Sequence, residues 1–211
     1  MSGRFIVFEG GEGAGKSTQA RLLVDALQAR GREAILTREP GGTPGAEAIR
    51  KLLLDPPGEG WSCRSEALLF AAARADHVER LIRPALARGA WVVSDRFVDS
   101  TRAYQGGGGG VADADLMMLH RIGAGGLLPD VTFLIEVEEE AAAARVAKRD
   151  GEKSDAIGGR DVGYHRQVTA AFTRLAEAEP QRFVRLDGSG AAEETHAAVL
   201  QVLQQLFGSL S

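Results

Sequence analysis

The sequence predicts an α/β fold built on a parallel sheet, and three observations predict it. Short apolar runs rich in β-branched residues recur at Arg4 to Phe8, Ala34 to Thr37, Ala90 to Ser94, Val131 to Val137 and Arg182 to Leu186. Each is separated from the next by sequence of helical composition, which supplies the crossovers that parallel strands require. The runs "FIVF", "WVV" and "VTFLI" are near-continuously apolar rather than alternating, as in strands covered on both faces.

Taken in order, the helical stretches are Ser17 to Gln28, Pro44 to Leu54, Ser65 to Ala87, Ala112 to Ile122, Glu138 to Arg149, Val162 to Glu179 and Glu193 to Phe207, with Pro84 expected to kink or end the third. "QGGGGG", Gln105 to Gly110, reads as a loop. The polar, glycine-punctuated stretch Arg149 to Asp161 reads as a short mobile lid between two helices. No internal repeat is visible, nor any linker long enough to separate a pair of domains, so residues 1–211 form one domain.

Composition narrows the function classes. A formal net charge of -4 gives no overall basic field for a nucleic-acid backbone or an anionic membrane. The single cysteine, Cys63, cannot close an intrachain disulfide, and His77, His120, His165 and His196 lack metal-ligand spacing. No apolar run approaches a membrane span and none resembles a secretory leader, so the expected location is the cytoplasm.

The chemistry starts where the first strand breaks into glycines. In "FIVFEGGEGAGKST", Gly10, Gly15, Lys16 and Ser17 complete G-x-x-x-x-G-K-[ST] between a strand and a helix, the context that makes this spacing a phosphate-binding loop. Backbone N–H groups of Gly10, Gly11, Glu12, Gly13, Ala14, Gly15, Lys16, Ser17 and Thr18 are the expected ATP-binding set. Lys16 is expected on the β- and γ-phosphates and the Ser17 hydroxyl on Mg2+. Glu9 and Glu12 beside this loop would repel a polyphosphate unless a metal, a substrate hydroxyl or neighbouring arginines offset them. Glu9 alone reads equally as an ordinary acid at a strand end or as a metal or substrate contact.

Two further strand ends carry phosphate-directed residues, "TREPGGT" at Thr37 to Thr43 and "SDRFVDSTRAYQG" at Ser94 to Gly106. Ligands bind at the carboxyl ends of strands in open parallel sheets, so Arg38, Asp95 and Arg96 should converge with Lys16. A single arginine of this kind reads first as half of a surface ion pair; three phosphate-directed features at three strand ends favour a site. Phe70 read alone is a core residue; with Arg74 one helical turn on along the same face and harder to bury, an aromatic face with a guanidinium fits stacking on a nucleobase and donation to its edge.

These segments, with "LLFAAARADHVERLIRPAL" and "LPDVTFLIEV" in the same order along the whole chain, resemble the bacterial thymidylate kinases, which phosphorylate dTMP with ATP. The resemblance implies a P-loop NTPase fold, a five-stranded parallel sheet flanked by helices on both sides, and a homodimer. It implies that Arg38 and Arg96 hold the dTMP phosphate, that Phe70 stacks on thymine and that Arg74 bonds its O4. Ser100, Thr101 and Gln105 would surround base and phosphate, and Tyr104 would leave no room for a ribose 2′-hydroxyl. Glu12 would lie near the sugar 3′-hydroxyl, Glu9 and Asp95 near Mg2+, and the Glu39-Pro40 bond would be cis. The chain departs from the family pattern by having no arginine within Gly106 to Gly110 and by carrying Ala156 and Ile157 where many relatives have an Arg-hydrophobe-acid motif. Arg149 and Arg160 are then the expected lid donors to the transferring phosphoryl group, because a guanidinium bridges two phosphate oxygens. Another P-loop nucleoside monophosphate or deoxynucleoside kinase is the alternative. A GTP-driven switch is the remote one: N-K-x-D is absent, and of the D-x-x-G matches the one at a strand end, Asp187 to Gly190, comes after the last strand.

Overall fold

The computed structural model describes residues 3–210 apart from 151–155, and side chains 148–150 also fall outside the description. Its strands are β1 (Arg4–Glu9), β2 (Ala34–Arg38), β3 (Trp91–Asp95), β4 (Val131–Glu136) and β5 (Phe183–Asp187), all parallel in the order β2-β3-β1-β4-β5. In the register, Phe8 pairs with Asp95 and Arg38 with Asp95, so the phosphate-directed strand ends lie side by side at one edge of the sheet.

Side chains alternate between two cores, which is why the runs read as continuously apolar. Ile6 and Phe8 of β1, Trp91 and Val93 of β3 and Val131, Phe133 and Ile135 of β4 face one layer, formed with α1 (Lys16–Gln28) and the last helix, α9 (Ala192–Phe207). Phe5, Val7 and Val92 face the opposite layer. Burial of each large apolar side chain contributes about 1.5–3 kcal/mol, and Phe8 and Phe133 add a stacked contact at 5.3 Å.

The remaining helices are α2 (Pro44–Leu54), α3 (Cys63–His77), α4 (Arg83–Ala87), α5 (Val98–Thr101), α6 (Asp113–Ala124), α7 (Glu139–Asp150) and α8 (Val162–Ala178). Local chemistry sets several starts. Thr43 caps α2 through Ala46 N–H with Pro44 at its first position, Ser62 caps α3 and Asp161 caps α8.

The long third helix is interrupted at Pro84, as expected, but does not end there: it widens into a π-helical turn, Val78–Ile82, and continues as α4 with Pro84 in its first turn, where the missing N–H would have no partner within the helix. The glycine run is not an open loop either, because Arg102–Gly108 forms a second π-helical turn continuing α5. Its glycines serve close packing: a Cβ on Gly107 would come within 2.3 Å of the Ala171 Cβ, and one on Gly108 within 2.5 Å of the Tyr164 ring. The Glu39-Pro40 peptide is cis.

Candidate active site

The chain leaves β1 through left-handed glycines and enters α1 directly. A Cβ on Gly10, whose φ is 141°, would strike the Ile135 carbonyl at 2.4 Å, so the first position of the motif accepts only glycine. The first turn of α1 then presents the N–H groups of Lys16, Ser17 and Thr18 toward the loop, a donor array with a partial positive charge. Lys16 is buried and donates from Nζ to the Gly11 carbonyl at 2.6 Å. Burial, followed by the nearby Arg96, brings its ammonium down to about 8. The Ser17 hydroxyl donates to Asp95 Oδ2, whereas Asp95 Oδ1 is buried without a hydrogen-bond partner. Beside the loop, Ala14, Gly15, Thr18, Arg145, Gly188 and Thr195 border a cavity of about 230 Å³. Gly188 belongs to the D-x-x-G segment, which therefore forms a wall of this cavity, and Arg145 donates to its carbonyl at 2.9 Å.

Arg96 is the hub. Its backbone lies in the left-handed region at φ 72°, rare for a side chain that is not glycine. Nη1 donates to the Gly10 carbonyl at 3.2 Å and to the Ser100 hydroxyl at 3.0 Å; Nη2 donates to Glu12 and, at 3.1 Å, to the Tyr104 hydroxyl. Burial opposes its charge, but Tyr104, Glu12, Asp95 and Glu9 more than offset this and hold its pKa above the ordinary arginine range. Tyr104 in turn donates to Glu12 at 3.2 Å. Glu12, beside the phosphate loop, is thus matched by an arginine delivered from the end of β3.

Glu9 is fully buried and takes a different position from the one expected of a metal ligand. Its Oε1 accepts the N–H groups of Phe97 and Ser100 at 2.8 and 3.1 Å, and its Oε2 accepts the Ser100 hydroxyl at 2.6 Å. Burial first, and then the charge of Asp99, push the carboxyl up to about 7. Ser17 and Asp95 meet directly, and Glu9 pins the turn that carries Arg96 and Ser100.

Across the crevice, α3 and the segment from Val98 to Gly108 are joined by two rungs. Arg74 donates from Nη2 to Thr101 Oγ1 at 2.8 Å; one turn on, Gln105 donates from Nε2 to Glu66 Oε2 at 3.0 Å. Glu66, Phe70 and Arg74 are spaced i, i+4, i+8 along one face of α3, so Phe70 lies between the rungs and packs against the cluster containing Tyr104 and Tyr164. Arg74 is buried and locked by Glu39 through Nε at 2.7 Å and by the Phe97 carbonyl.

Two of the expected arginines lie elsewhere. Arg38 is half exposed and pairs with Glu47 at 3.3 Å, so in this conformation it forms the surface ion pair that was its simpler reading. Arg160 donates to Glu66 and, at 2.7 Å, to the Tyr164 hydroxyl, lying over that ring at 4.6 Å. Its contacts belong to the α3 side of the crevice and not to the phosphate loop. The Arg149 side chain lies outside the described residues, as does the stretch of the lid spanning 151–155. The sequence reading missed Glu39, Glu66, Asp99 and Arg182. A local signal existed for Glu39, which directly follows Arg38 and precedes the cis proline; the others depend on partners far along the chain.

A family model described as thymidylate kinase matches residues 8–199. The thymidylate kinase of Rhizorhabdus wittichii is 50% identical over 207 residues, covering 98% of this chain and 100% of that protein. That of Caulobacter vibrioides is 45% identical over 206 residues, covering 98% of each chain. Among solved structures, the thymidylate kinase from Ehrlichia chaffeensis superposes with a TM-score of 0.79 at 31% identity, over 97% of this chain and 100% of that one.

Proposed function

The chain belongs to the thymidylate kinase family, and from that premise we propose that it transfers the γ-phosphoryl group of ATP to dTMP, with Mg2+, giving dTDP and ADP. The observation that carries this reading is the position of Arg96: one guanidinium joins the phosphate loop, through Gly10 and Glu12, to the acceptor segment, through Ser100 and Tyr104. A cation at that junction lies where donor and acceptor phosphates must meet.

The attacking group is a phosphate oxygen of dTMP, already anionic near neutral pH, so no strong general base is needed. A bond forms from that oxygen to the γ-phosphorus as the bond to the β–γ bridging oxygen breaks, and ADP leaves with the bridging oxygen. Lys16 and the N–H groups of the loop hold the donor phosphates, and Arg96, with Arg38 turned in from Glu47, holds the acceptor in line. Phe70 stacks on the base, Arg74 donates to its O4, and Tyr104 bars the ribose 2′ position. The Ser17 hydroxyl and the unpartnered, buried Asp95 Oδ1 form a hard oxygen pair suited to Mg2+. When bound there, the ion supplies charge neutralisation on the phosphate oxygens. Glu9, with both oxygens engaged, acts by holding Ser100 and the Arg96 turn.

A homodimer is supported by Leu68 on α3 and by Met118 and Ile122 on α6, which are 58%, 47% and 76% exposed on neighbouring helices and form an apolar face for a second copy. A cytoplasmic site of action fits the acceptor and donor, which are intracellular nucleotides; among the described residues no helix is long and apolar enough to cross a membrane. Coupled ATP turnover across a panel of nucleoside monophosphates tests the acceptor. Preference for dTMP is expected, and dCMP turnover equal to that of dTMP would overturn it.

A further inference from the structure

Gln105 is 1% exposed, and its two amide atoms have unequal fates. Nε2 donates to Glu66 Oε2 at 3.0 Å, while Oε1 is buried with no hydrogen-bond partner. A buried amide carbonyl left unpaired costs free energy comparable to a lost hydrogen bond, so such an oxygen is expected to have a use. Turning the amide over would not remove the cost, because the carbonyl would then oppose the carboxylate, and an ionised carboxylate can only accept. Glu66 therefore fixes which end of the Gln105 amide remains available.

Glu66 is itself held from outside. Arg160 donates to its other oxygen, Oε1, and also to the Tyr164 hydroxyl, which donates to the Tyr104 carbonyl at 2.9 Å. The residues just before Arg160 seat on the same side of the molecule: Ile157 is buried in the cluster with Tyr104 and Tyr164, and Ala156 N–H donates to the Leu54 carbonyl at 3.4 Å. Glu66 is 4% exposed, so removing Arg160 would leave a buried carboxylate with one fewer cationic partner.

We propose that Glu66 is a specificity-determining positioning residue: held from its other side by Arg160, it orients the Gln105 amide so that Oε1 selects a base with a ring N–H. This rests on dTMP as the acceptor. Thymine and uracil carry a proton on N3 and can donate to such an oxygen. Cytosine carries a lone pair there, which would oppose it acceptor to acceptor. Arg74, fixed one turn away on the same face by Glu39 and Thr101, supplies the complementary donor for the 4-position. The rungs thus place one donor and one acceptor on either side of Phe70, matching the O4 and N3–H pair of thymine and reversed with respect to cytosine.

Glu66→Gln tests the orientation while conserving shape. Its amide can donate to Gln105 Oε1, allowing Gln105 to turn and present Nε2 to the base. The ratio of kcat/KM for dTMP to that for dCMP should fall about 10-fold or more, with the dTMP to dUMP ratio and the ATP KM unchanged. General damage to the pocket would move the dUMP comparison as well, and that result would overturn the proposal. Gln105→Met is the independent variant, since it removes the selecting oxygen and leaves Glu66 paired to Arg160; the same loss of discrimination is expected, with little further change in the double variant. A dTMP to dCMP ratio equal to wild type in Gln105→Met would also overturn the proposal. Wild-type protein without any preference for dTMP over dCMP would instead refute the acceptor reading itself, and the inference with it.

Discussion

Arg96 and Glu12 form an ion pair across 84 positions of sequence, closing the phosphate loop onto the end of β3. Their side chains are only 15% and 30% exposed, so the pair is screened far less than a surface bridge. The Arg96 fork also donates to Gly10, Ser100 and Tyr104, and a lysine could satisfy the charge but not this planar set of bonds.

Arg96→Lys should therefore lower kcat by about 100-fold to 1,000-fold, the range seen when a positioned donor to developing charge is removed, with ATP affinity little changed. Steady-state kinetics with each nucleotide varied in turn decides this. A lysine variant with wild-type kcat would show that the fork geometry is dispensable.

Lys16 gives a pH signature on the donor side. Its ammonium is brought down to about 8, so in the free protein the charge facing the phosphates is lost as pH rises through that value. Metal-free ATP binding should weaken above pH 8, by up to about tenfold per pH unit. Lys16→Met should bind more weakly and be nearly flat between pH 7 and 9. Calorimetric titration at several pH values measures both; parallel curves for the two proteins would assign the dependence to another group.

Glu9 gives an opposite kind of linkage, in stability. Its carboxyl sits at about 7 when folded against 4.5 in the unfolded chain, so between these values the folded state holds more protons and stability falls as pH rises. The penalty is absent below about 4.5, complete above about 7, and on the order of 3 kcal/mol. Glu9→Gln keeps an acceptor for the Phe97 and Ser100 N–H groups and removes the titration. Urea unfolding in metal-free buffer should show wild type losing more stability than the variant between pH 5 and 8. An equal loss in both would mean that Glu9 ionises in the fold without cost.

The features legible in the sequence were those coded by local spacing. Strands β1, β3 and β4 were readable because burial on both faces leaves an unbroken apolar run, the more exposed β2 and β5 because their short apolar stretches are set off by flanking helical sequence, and the phosphate loop because Gly10, Gly15, Lys16 and Ser17 keep a fixed local spacing. The wide turn at Arg102–Gly108 was not, since its glycines have meaning only against Tyr164 and Ala171 of α8. Glu66 reads in isolation as an ordinary acid in the first turn of a helix, a common and stabilising placement. Its partners, Gln105 and Arg160, lie 39 and 94 residues away. Arg38 and Arg160 carried the right chemistry for phosphate, but side-chain pairing with Glu47 and Glu66 decides where they sit in this conformation, and no spacing rule encodes that.

A buried ion pair supports the acceptor segment from behind. Arg182, just before β5, grips Asp99 through two bonds, Nη1 to Oδ2 at 2.6 Å and Nη2 to Oδ1 at 2.8 Å, and Asp99 immediately precedes Ser100 and Thr101. Arg182 also donates to Glu179 at 2.6 Å and to Thr132 at 3.2 Å, while Arg102 reaches Asp99 at 3.1 Å and Glu179 at 2.6 Å. Asp99 is 0% exposed, so Arg182→Met would leave a buried carboxylate with Arg102 as its remaining cation. Breaking one side of such a pair costs about 3–5 kcal/mol, whereas replacing both sides by apolar groups is often close to neutral. Arg182→Met should therefore be strongly destabilised, and Asp99→Leu combined with Arg182→Met should recover much of the loss. The same single variant should raise the dTMP KM more than the ATP KM, because the displaced turn carries Ser100 and Thr101 and not the phosphate loop. Denaturant unfolding of the two single variants and the double variant measures the coupling; strictly additive losses would mean that the two residues stabilise the fold separately and that Arg182 does not act through Asp99.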